Sequence, residues 1–285
     1  MGNAINGLAA GDRLGFWVAL SGDGLTLAVG ADQWNNVNPT GPGYVRVFQL
    51  DDETSWLPKG QVISGNANGD RFGFRFDLSK DADVLAIGSF LNGNGGGDAG
   101  HVLVYQYNTI ADNWDRMGRE LLGEPGDQFG KSVSVASHHG STTLAVGAHL
   151  SSEIGLARAG RVHVFPWNGQ DWEQLGNSIV GEVAQDQSGE AVQLSSNGRR
   201  VAIGSRFHDG PGGSNSGSIR IFEYNWFSGE WNQLGDPFYG ERDDDLFGWA
   251  LAMSADGSIV AGGAYFNDGP SGSDDNAGHV QVYSS

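Results

Sequence analysis

The sequence contains no cysteine, so disulfide bonds and thiolate metal sites are excluded. No apolar run approaches the ~18 residues of a membrane-spanning helix, so we expect no direct membrane insertion. Basic residues are scarce, since 16 Lys and Arg face 34 Asp and Glu and the net charge is −18. Such a chain repels a phosphate backbone, which excludes nucleic acid as a partner. The acidic charge indicates either simple solubility or binding of a cation or a basic partner.

Glycine is the residue in excess, with 47 copies among 285 residues. Many short strands joined by tight turns need that much glycine, because glycine accepts a positive φ angle without steric cost. There is no Gly-X-Y period, so a collagen-like structure is excluded. The composition therefore favours an all-β fold, and a chain of this length can form one domain.

A four-residue motif, Asp-x-Φ-Gly with Φ usually apolar, occurs five times at intervals of 57 to 59 residues. Its aspartates are Asp12, Asp70, Asp127, Asp186 and Asp245, and its glycines are Gly15, Gly73, Gly130, Gly189 and Gly248. An aspartate in such a turn can accept hydrogen bonds from local backbone N–H groups. We therefore predict a structural role for the motif, with a ring of metal ligands or catalytic acids as the alternative.

The same succession of strands follows each copy of the motif. Strand A alternates apolar residues, as at Val18 and Leu20, which indicates one buried face. A short turn leads to strand B, whose small residues suit close packing of neighbouring sheets. A long loop leads to strand C, and a tryptophan precedes strand D. We predict a packing role for these tryptophans, with sugar stacking as the alternative: Trp56, Trp114, Trp172 and Trp231.

Four strands per repeat is the size of one propeller blade. We predict one all-β domain over residues 1–285, a five-bladed β-propeller of four-stranded antiparallel blades. The blades span residues 8–65, 66–123, 124–181, 182–240, and 241–285 together with 2–7. The fifth repeat ends after strand C, and residues 2–7 match residues 176–181 of strand D. The N-terminal strand is therefore predicted to complete the last blade and close the ring. An excerpt from a longer array is the alternative.

The order of motifs in each repeat resembles the FG-GAP repeats of integrin α-chain propellers. The resemblance is carried by Phe72-Gly73, Phe129-Gly130 and Phe247-Gly248, and by Gly30-Ala31, Gly147-Ala148 and Gly263-Ala264. It implies an extracellular or cell-surface propeller that binds proteins or mediates adhesion. Leu14 and Ser188 depart from the motif phenylalanine. The turns between strands A and B are too short for the integrin-type calcium loop, so that calcium site is not carried over.

Recognition is expected where the repeats differ, and the long loops between strands B and C differ most. Aromatic side chains beside Asn, Asp and His suit a protein partner or a glycan. The predicted ligand-binding residues are Trp34, Asn35, Phe90, Asn92, His149, Phe207, His208, Asp209, Phe266, Asn267 and Asp268. The alternative is a set of solvated loop tips with the aromatic side chains tucked beneath them.

Metal binding and catalysis have weaker signals. Asp268, Asp274 and Asp275 could offer oxygen ligands to calcium, although no cofactor is required. Glu190 with Asp77 is the best carboxylate pair for a glycosidase, whereas a simpler interpretation pairs Glu190 with Lys131. Gly-x-Ser-x-Gly, phosphate-loop and His-Glu-x-x-His motifs are all absent from the sequence.

The sequence therefore predicts a non-catalytic binding module rather than an enzyme. We expect protein interaction or adhesion through the loops between strands B and C on one propeller face. Carbohydrate binding of the lectin kind is the alternative, and glycoside hydrolysis ranks third.

Overall fold

The computed structural model describes residues 3–34, 39–51, 54–269 and 276–284. The chain divides into two compact units, Met1–Ser137 with Gly169–Trp172 and His138–Asn168 with Glu173–Ser285. Within the described ranges, no helix has both the length and the apolar character that crossing a membrane requires.

Short strands make up both units. The first unit holds β1 Trp17–Leu20, β2 Thr26–Ala31, β3 Tyr44–Asp51, β4 Ser55–Pro58, β5 Ile63–Ser64, β6 Arg75–Leu78, β7 Val84–Ser89, β8 His101–Asn108, β9 Asn113–Arg116, β10 Leu121–Leu122 and most of β11 Phe129–His138. The second unit holds β12 Ser141–Ala148, β13 Arg161–Pro166, β14 Ile179–Val180, β15 Ala191–Leu194, β16 Arg200–Ser205, β17 Ser218–Asn225, β18 Glu230–Gln233, β19 Phe238–Tyr239, β20 Ala250–Met253, β21 Ile259–Ala264 and β22 His279–Ser284.

The strands pair in the same antiparallel order in successive repeats. The first sheet runs β1-β2-β3-β4 with β5 also on β3, and the second runs β6-β7-β8-β9 with β10 also on β8. In the second unit, β12, β13 and β14 pair in that order. The fourth sheet runs β15-β16-β17-β18 with β19 also on β17, and the fifth runs β20-β21-β22. The all-β prediction is confirmed.

The predicted outer strand D is interrupted. In the first repeat it consists of β4 and β5, which both pair with β3. Gly60 lies between them with φ +75°, and Gly118 and Gly235 hold the same place in later repeats with φ +75° and +65°. A side chain is strained in this left-handed region, so the strand breaks at a glycine. The prediction of four-stranded blades is therefore corrected, because the outer strand forms two short segments in these repeats.

The motif makes one tight turn in each repeat. Asp12 Oδ2 accepts hydrogen bonds from the backbone N–H groups of Leu8 and Ala9, both at 2.8 Å. Asp186 and Asp245 accept the same pair of bonds from residues four and three positions earlier. The predicted structural role is confirmed at these three aspartates.

Neighbouring sheets approach closely where strand B meets the next motif. A Cβ atom added to Gly30 would clash with the backbone oxygen of Gly73, and one added to Gly204 would clash with that of Gly248. No side chain fits at these contacts, so the sequence places glycine on both sides. The predicted role of small residues in sheet packing is confirmed.

The tryptophans connect the outer strand of one repeat to that of the preceding repeat. Trp114 and Trp172 are 2% and 0% exposed, whereas Trp231 is half-buried. Trp172 Nε1 donates to the Met117 carbonyl at 2.8 Å, and Trp231 Nε1 donates to the Leu175 carbonyl at 2.9 Å. An indole needs a hydrogen-bond partner when it is buried, and the preceding repeat supplies it. These tryptophans have the predicted packing role.

The N-terminal segment differs from its prediction. Residues 3–7 form no strand, and the fifth sheet has three strands within the described residues. The segment contacts the first sheet instead, since Arg46 Nη1 donates to the Asn6 carbonyl at 3.0 Å and Trp56 N donates to Asn3 Oδ1 at 2.8 Å. Closure of a five-bladed ring by this segment stays a proposal.

Candidate functional site

Two positions in each repeat vary among the five copies, although their neighbours are nearly constant. One directly follows strand B, and the other directly follows the motif glycine. Strand A begins opposite the end of strand B, as Trp17 opposite Gly30 in the first sheet, so the two positions lie side by side at one end of the sheet. The first position holds Asp32, Phe90, His149, Arg206 and Tyr265, and the second holds Phe16, Phe74, Lys131, Glu190 and Trp249.

In the second unit these positions form a buried polar group, the Glu190 cluster, made of Glu190, His149 and Arg206. Glu190 Oε2 lies 3.8 Å from His149 Nε2 and 3.6 Å from Arg206 Nε. The Glu190 and His149 side chains are 2% and 4% exposed. Arg206 Nη2 also donates to Gln187 Oε1 at 3.1 Å. A carboxylate between an imidazole and a guanidinium can take a proton from water beside a group that stabilises negative charge.

Aromatic rings form a rim beside this cluster. The Arg206 guanidinium carbon lies 4.4 Å from the Phe207 ring centroid and 4.3 Å from that of Trp249. The Trp249 and Tyr265 rings are 4.9 Å apart, and the Tyr265 and Phe266 rings are 4.1 Å apart. Tyr265 and Phe266 are 42% and 41% exposed. The aromatic rim, made of Phe207, Trp249, Tyr265 and Phe266, can therefore stack on a flat ligand.

In the first unit the same positions carry different chemistry. Arg71 Nη2 donates to the buried Asp32 carboxylate at 2.8 Å. The Arg71 guanidinium carbon lies 4.3 Å from the Phe74 centroid and 5.2 Å from that of Phe90, and Lys131 Nζ lies 5.0 and 4.8 Å from the same two centroids. Burial lowers the pKa of Arg71, while the hydrogen bond to Asp32 opposes that shift. Arg71, Lys131, Phe74 and Phe90 form the Arg71–Lys131 group.

Three of the predicted ligand-binding residues point inward onto the motif aspartates. Asn92 and Asn267 donate their side-chain N–H groups to the motif aspartates of their own repeats, at 2.7 and 3.0 Å. His208 Nδ1 lies 3.2 Å from Asp186 Oδ1, and this hydrogen bond raises the pKa of His208. Asn92, Asn267 and His208 are 2%, 2% and 7% exposed. These side chains support the turn beneath the loop, and their role as ligand contacts stays a prediction.

The other predicted ligand-binding residues lie in several places. Phe90 and His149, 5% and 3% exposed, belong to the Arg71–Lys131 group and the Glu190 cluster, and Phe207 and Phe266 belong to the aromatic rim. The half-buried Trp34 ring lies 5.2 Å from the Arg71 guanidinium carbon.

The acidic loop residues are bound to their own loops. Asp209 is exposed and accepts a bond from Asn215 N at 2.8 Å, and Asp268 accepts one from Asn276 N at 3.3 Å. Asn35, Asp274 and Asp275 lie outside the described residues.

The predicted metal and glycosidase sites remain predictions. No three His, Asp or Glu side chains within the described residues are grouped to hold a metal ion, but two of the proposed calcium ligands lie outside those residues. Asp77 accepts hydrogen bonds from Val135 N at 2.8 Å and Leu78 N at 3.0 Å, and burial raises its pKa to about 6. Asp77 belongs to the first unit and its suggested partner Glu190 to the second.

Sequence reasoning missed Arg206 and Arg71. Arg206 follows strand B directly, and Arg71 is the variable residue inside the Asp-x-Φ-Gly motif. Aligning the repeats column by column would have shown a different residue type at the position after strand B in each copy. That contrast with the constant strand residues was the available signal.

The chain matches no family model and no curated protein, but it resembles several solved structures. A candidate 6-phosphogluconolactonase from Bacteroides uniformis is 13% identical with a TM-score of 0.56, over 95% of this chain and 80% of that one. The periplasmic gluconolactonase of Pseudomonas aeruginosa is 20% identical with a TM-score of 0.52, over 90% of this chain and 67% of that one. A second candidate 6-phosphogluconolactonase, from Bacteroides fragilis, is 13% identical with a TM-score of 0.52, and 84% of this chain spans 60% of its length.

These similarities show a shared all-β, propeller-like fold. They contradict the prediction of a non-catalytic binding module that is not an enzyme, because the three neighbours carry the names of lactonases. That prediction is therefore corrected, and adhesion and an integrin-like character gain no support. None of the three names refers to FG-GAP repeats, so that resemblance and the extracellular location it implies stay predictions.

Proposed function

We propose that this protein is a hydrolase that opens a small sugar-derived lactone at the Glu190 cluster. The observation that carries the proposal is the buried Glu190 carboxylate, which lies within 3.8 Å of both His149 and Arg206. The fold shared with three proteins named as lactonases supports it. Because fold alone does not define function, the chemistry rests on these side chains.

Each residue of the cluster has a role in hydrolysis of a cyclic ester. Glu190 takes a proton from water while the water oxygen bonds to the lactone carbonyl carbon. Arg206 stabilises the negative charge that develops on the carbonyl oxygen. The ring C–O bond of the ester then breaks, and the leaving oxygen takes the proton from Glu190. The product is the open hydroxy acid, and the carboxylate is regenerated.

The neighbouring residues position the reactants. His149 Nε2, 3.8 Å from Glu190 Oε2, keeps the carboxylate oriented and is a positioning residue. The aromatic rim offers the exposed rings of Tyr265 and Phe266 to the apolar face of a sugar ring. A ring stacked there has its carbonyl group beside a charged cluster from which water is largely excluded, which strengthens the electrostatic effect of Arg206.

The test is lactone hydrolysis followed in a pH-stat with glucono-δ-lactone and 6-phosphogluconolactone. Glu190→Gln keeps the size of the side chain and removes the base, so kcat/KM is expected to fall by about 10²- to 10⁴-fold. Glu223→Gln is the matched control, because Glu223 lies in the same unit, 42% exposed and 3.1 Å from Arg200. We expect the control to keep full activity. Wild-type turnover no faster than spontaneous opening, or full activity in Glu190→Gln, would contradict the proposal.

We also infer that the five repeats form a closed ring in which the N-terminal segment adds the outer strand of the last blade. The bond from Arg46 Nη1 to the Asn6 carbonyl, at 3.0 Å, has a counterpart three repeats later, where Arg220 Nη2 donates to the Val180 carbonyl at 2.9 Å. Val180 belongs to the strand D segment of the preceding repeat. The matching pair of bonds supports a strand D role for the N-terminal segment beside the first sheet.

The exposed apolar residues of the first and fifth sheets support closure. Val18 in β1 is 55% exposed, whereas Phe76, its counterpart in the second repeat, is 2% exposed. Val280 in β22 is 70% exposed, whereas Ile219, its counterpart in the fourth repeat, is 0% exposed. Every repeat has the apolar residues of an internal blade, but these two sheets leave them uncovered, and closure would bury them.

Cross-linking tests closure, and the absence of cysteine provides a clean background. The pairing of Val162 with Ile179 in the third repeat predicts that Ile5 faces Val280 in the last blade. The double variant Ile5→Cys, Val280→Cys should form a disulfide within the monomer, whereas Ile5→Cys with Ile110→Cys should not. Failure of the first pair to cross-link, or cross-linking only between molecules, would contradict the closed ring.

A further inference from the structure

Basic side chains of the first unit lie close to one another and over aromatic rings, which is unusual in an acidic protein. The chain has 16 Lys and Arg residues against 34 Asp and Glu. Of the cations that lie over aromatic rings of the first two repeats, four belong to the motif or to the start of strand A. They are Arg13 over Phe16 at 4.9 Å, Arg71 over Phe74 at 4.3 Å, Arg75 over Trp17 at 3.9 Å and Lys131 over Phe90 at 4.8 Å.

Two of these cations, Arg71 and Arg13, lie beside one buried carboxylate, that of Asp32. Asp32, whose side chain is 0% exposed, lies 2.8 Å from Arg71 Nη2 and 3.5 Å from Arg13 Nη1. The two guanidinium groups and this carboxylate together carry one positive charge. Arg71 and Arg13 are 16% and 40% exposed, so solvent and small solutes can reach them.

The rings make this group suited to holding an anion. Aromatic faces attract cations and also exclude water, which lowers the local dielectric constant and strengthens attraction to an incoming negative charge. A guanidinium presents two parallel N–H donors that match carboxylate or phosphate oxygens, and an ammonium group adds a point charge. Arg71 and Lys131 share the rings of Phe74 and Phe90, so they can meet the same anion.

We propose that the Arg71–Lys131 group, together with Arg13, is a binding site for a small anionic group, a phosphate or a carboxylate. The site lies within the first unit and does not depend on Glu190 or on the proposed hydrolysis. The alternative is a purely structural role, in which the cations only hold the first two sheets together. It predicts that added anions neither bind to the protein nor change its free energy of unfolding. The two accounts therefore differ in a measurable way.

The experiment is isothermal titration of the whole chain with inorganic phosphate and, separately, with gluconate, at constant ionic strength set by chloride. Lys131→Met should weaken binding by at least about tenfold, because it removes one of the cations on the shared rings. Lys131→Arg should restore it. Arg116→Met is the matched control, since Arg116 lies over a single ring, Tyr105, at 5.7 Å in the same unit. We expect this control to bind as the wild type does.

The outcomes separate the alternatives. Binding of phosphate but not gluconate assigns the site to phosphate groups, and binding of gluconate but not phosphate assigns it to carboxylates. Absence of binding to either anion, or unchanged binding in Lys131→Met, overturns the proposal. If Lys131→Met does not fold, as judged by its thermal unfolding, Arg13→Gln replaces it. Arg13 is chosen because its side chain is more exposed than that of Arg71. Unchanged binding in that variant also overturns the proposal.

Discussion

The Glu190 cluster and the Arg71–Lys131 group both use the two variable positions of the repeat but contain different chemistry, and the second group adds Arg71 from the motif. In the second unit, a carboxylate lies between His149 and Arg206. In the first unit, two cations lie over Phe74 and Phe90. The backbone around both groups is nearly the same, with strand B ending beside the motif glycine. The difference shows that one constant framework can hold side chains of different charge and chemistry at the end of the sheet.

The constant framework explains why such variation is tolerated. The motif aspartate satisfies the backbone N–H groups of its own turn, and the glycines remove side chains where sheets meet. Neither interaction involves the position after strand B or the position after the motif glycine. A substitution there changes the chemistry at the end of the sheet and leaves the turn intact.

The largest expected effect concerns the packing role that a tryptophan has within each unit. Trp172→Ala should lower the free energy of unfolding by about 3–5 kcal/mol, because it leaves a cavity at a side chain that is fully buried. Trp231→Ala should cost less, since Trp231 is half-buried although it donates the same kind of hydrogen bond. Urea denaturation measures both. Equal losses would show that burial does not distinguish these two positions.

Removal of Arg206 should affect catalysis more than folding. Arg206→Met is expected to lower kcat by about 10²- to 10³-fold on the lactone, because the group that stabilises the developing negative charge is lost. Arg200→Met, a control on β16 in the same unit whose partner is Glu223, should keep the wild-type kcat. If Arg206→Met and Arg200→Met both lost activity in proportion to their loss of stability, the distinction between framework and site would be contradicted.

The buried carboxylate of Asp77 should make the first unit sensitive to pH. Burial raises its pKa from 3.8 to about 6, so the unfolded chain releases this proton at a lower pH than the folded chain does. The contribution of Asp77 to the free energy of unfolding is therefore fully present below about pH 4 and is lost as pH rises through about 6, a change of roughly 3 kcal/mol. Asp77→Asn should abolish this dependence. Parallel pH–stability curves for wild type and variant would contradict the assignment.

The smallest expected effect compares two histidines with opposite pKa shifts. The hydrogen bond to Asp186 raises the pKa of His208, so its stabilising contribution is present below its ordinary pKa and is lost as pH rises. Burial lowers the pKa of His101, so its contribution falls as pH decreases. His208→Gln should therefore cost more stability at about pH 5.5 than at about pH 8, and His101→Gln should show the reverse. Thermal unfolding of both variants at the two pH values measures these costs. If both variants cost more stability at the same pH, the opposite pKa shifts of the two histidines would be contradicted.

Much of the framework could be predicted from the sequence because it repeats. Because the motif occurs five times, a strand that is ambiguous in one repeat can be identified from the others. Strands A, B and C and the roles of Asp12 and Trp172 were therefore predicted correctly. The interruption of strand D at Gly60 was not predicted, although a glycine at the same place in several repeats was the available sign. The alternation of apolar residues does not reveal where a strand breaks.

The candidate site was predicted less well, for a physical reason. Loop residues such as Asn92 and His208 have polar side chains that suit a ligand, but the same groups also satisfy a buried aspartate, and only three-dimensional contacts separate the two uses. Arg206 was missed because its partners, Glu190 and Trp249, lie 16 and 43 residues away along the chain. A contact between residues so far apart has no local signature in one sequence.

The most direct test of this account compares two residues that lie four positions apart, one constant and one variable, in the same two assays. Asp186→Ala should lower the free energy of unfolding by about 1–3 kcal/mol, because the N–H groups of Glu182 and Val183 lose their acceptor. Its kcat/KM per folded molecule should stay close to that of the wild type. Glu190→Gln should lose lactone hydrolysis while unfolding at nearly the wild-type denaturant concentration. The opposite pattern, with activity lost in Asp186→Ala and stability lost in Glu190→Gln, would contradict the separation of framework from site.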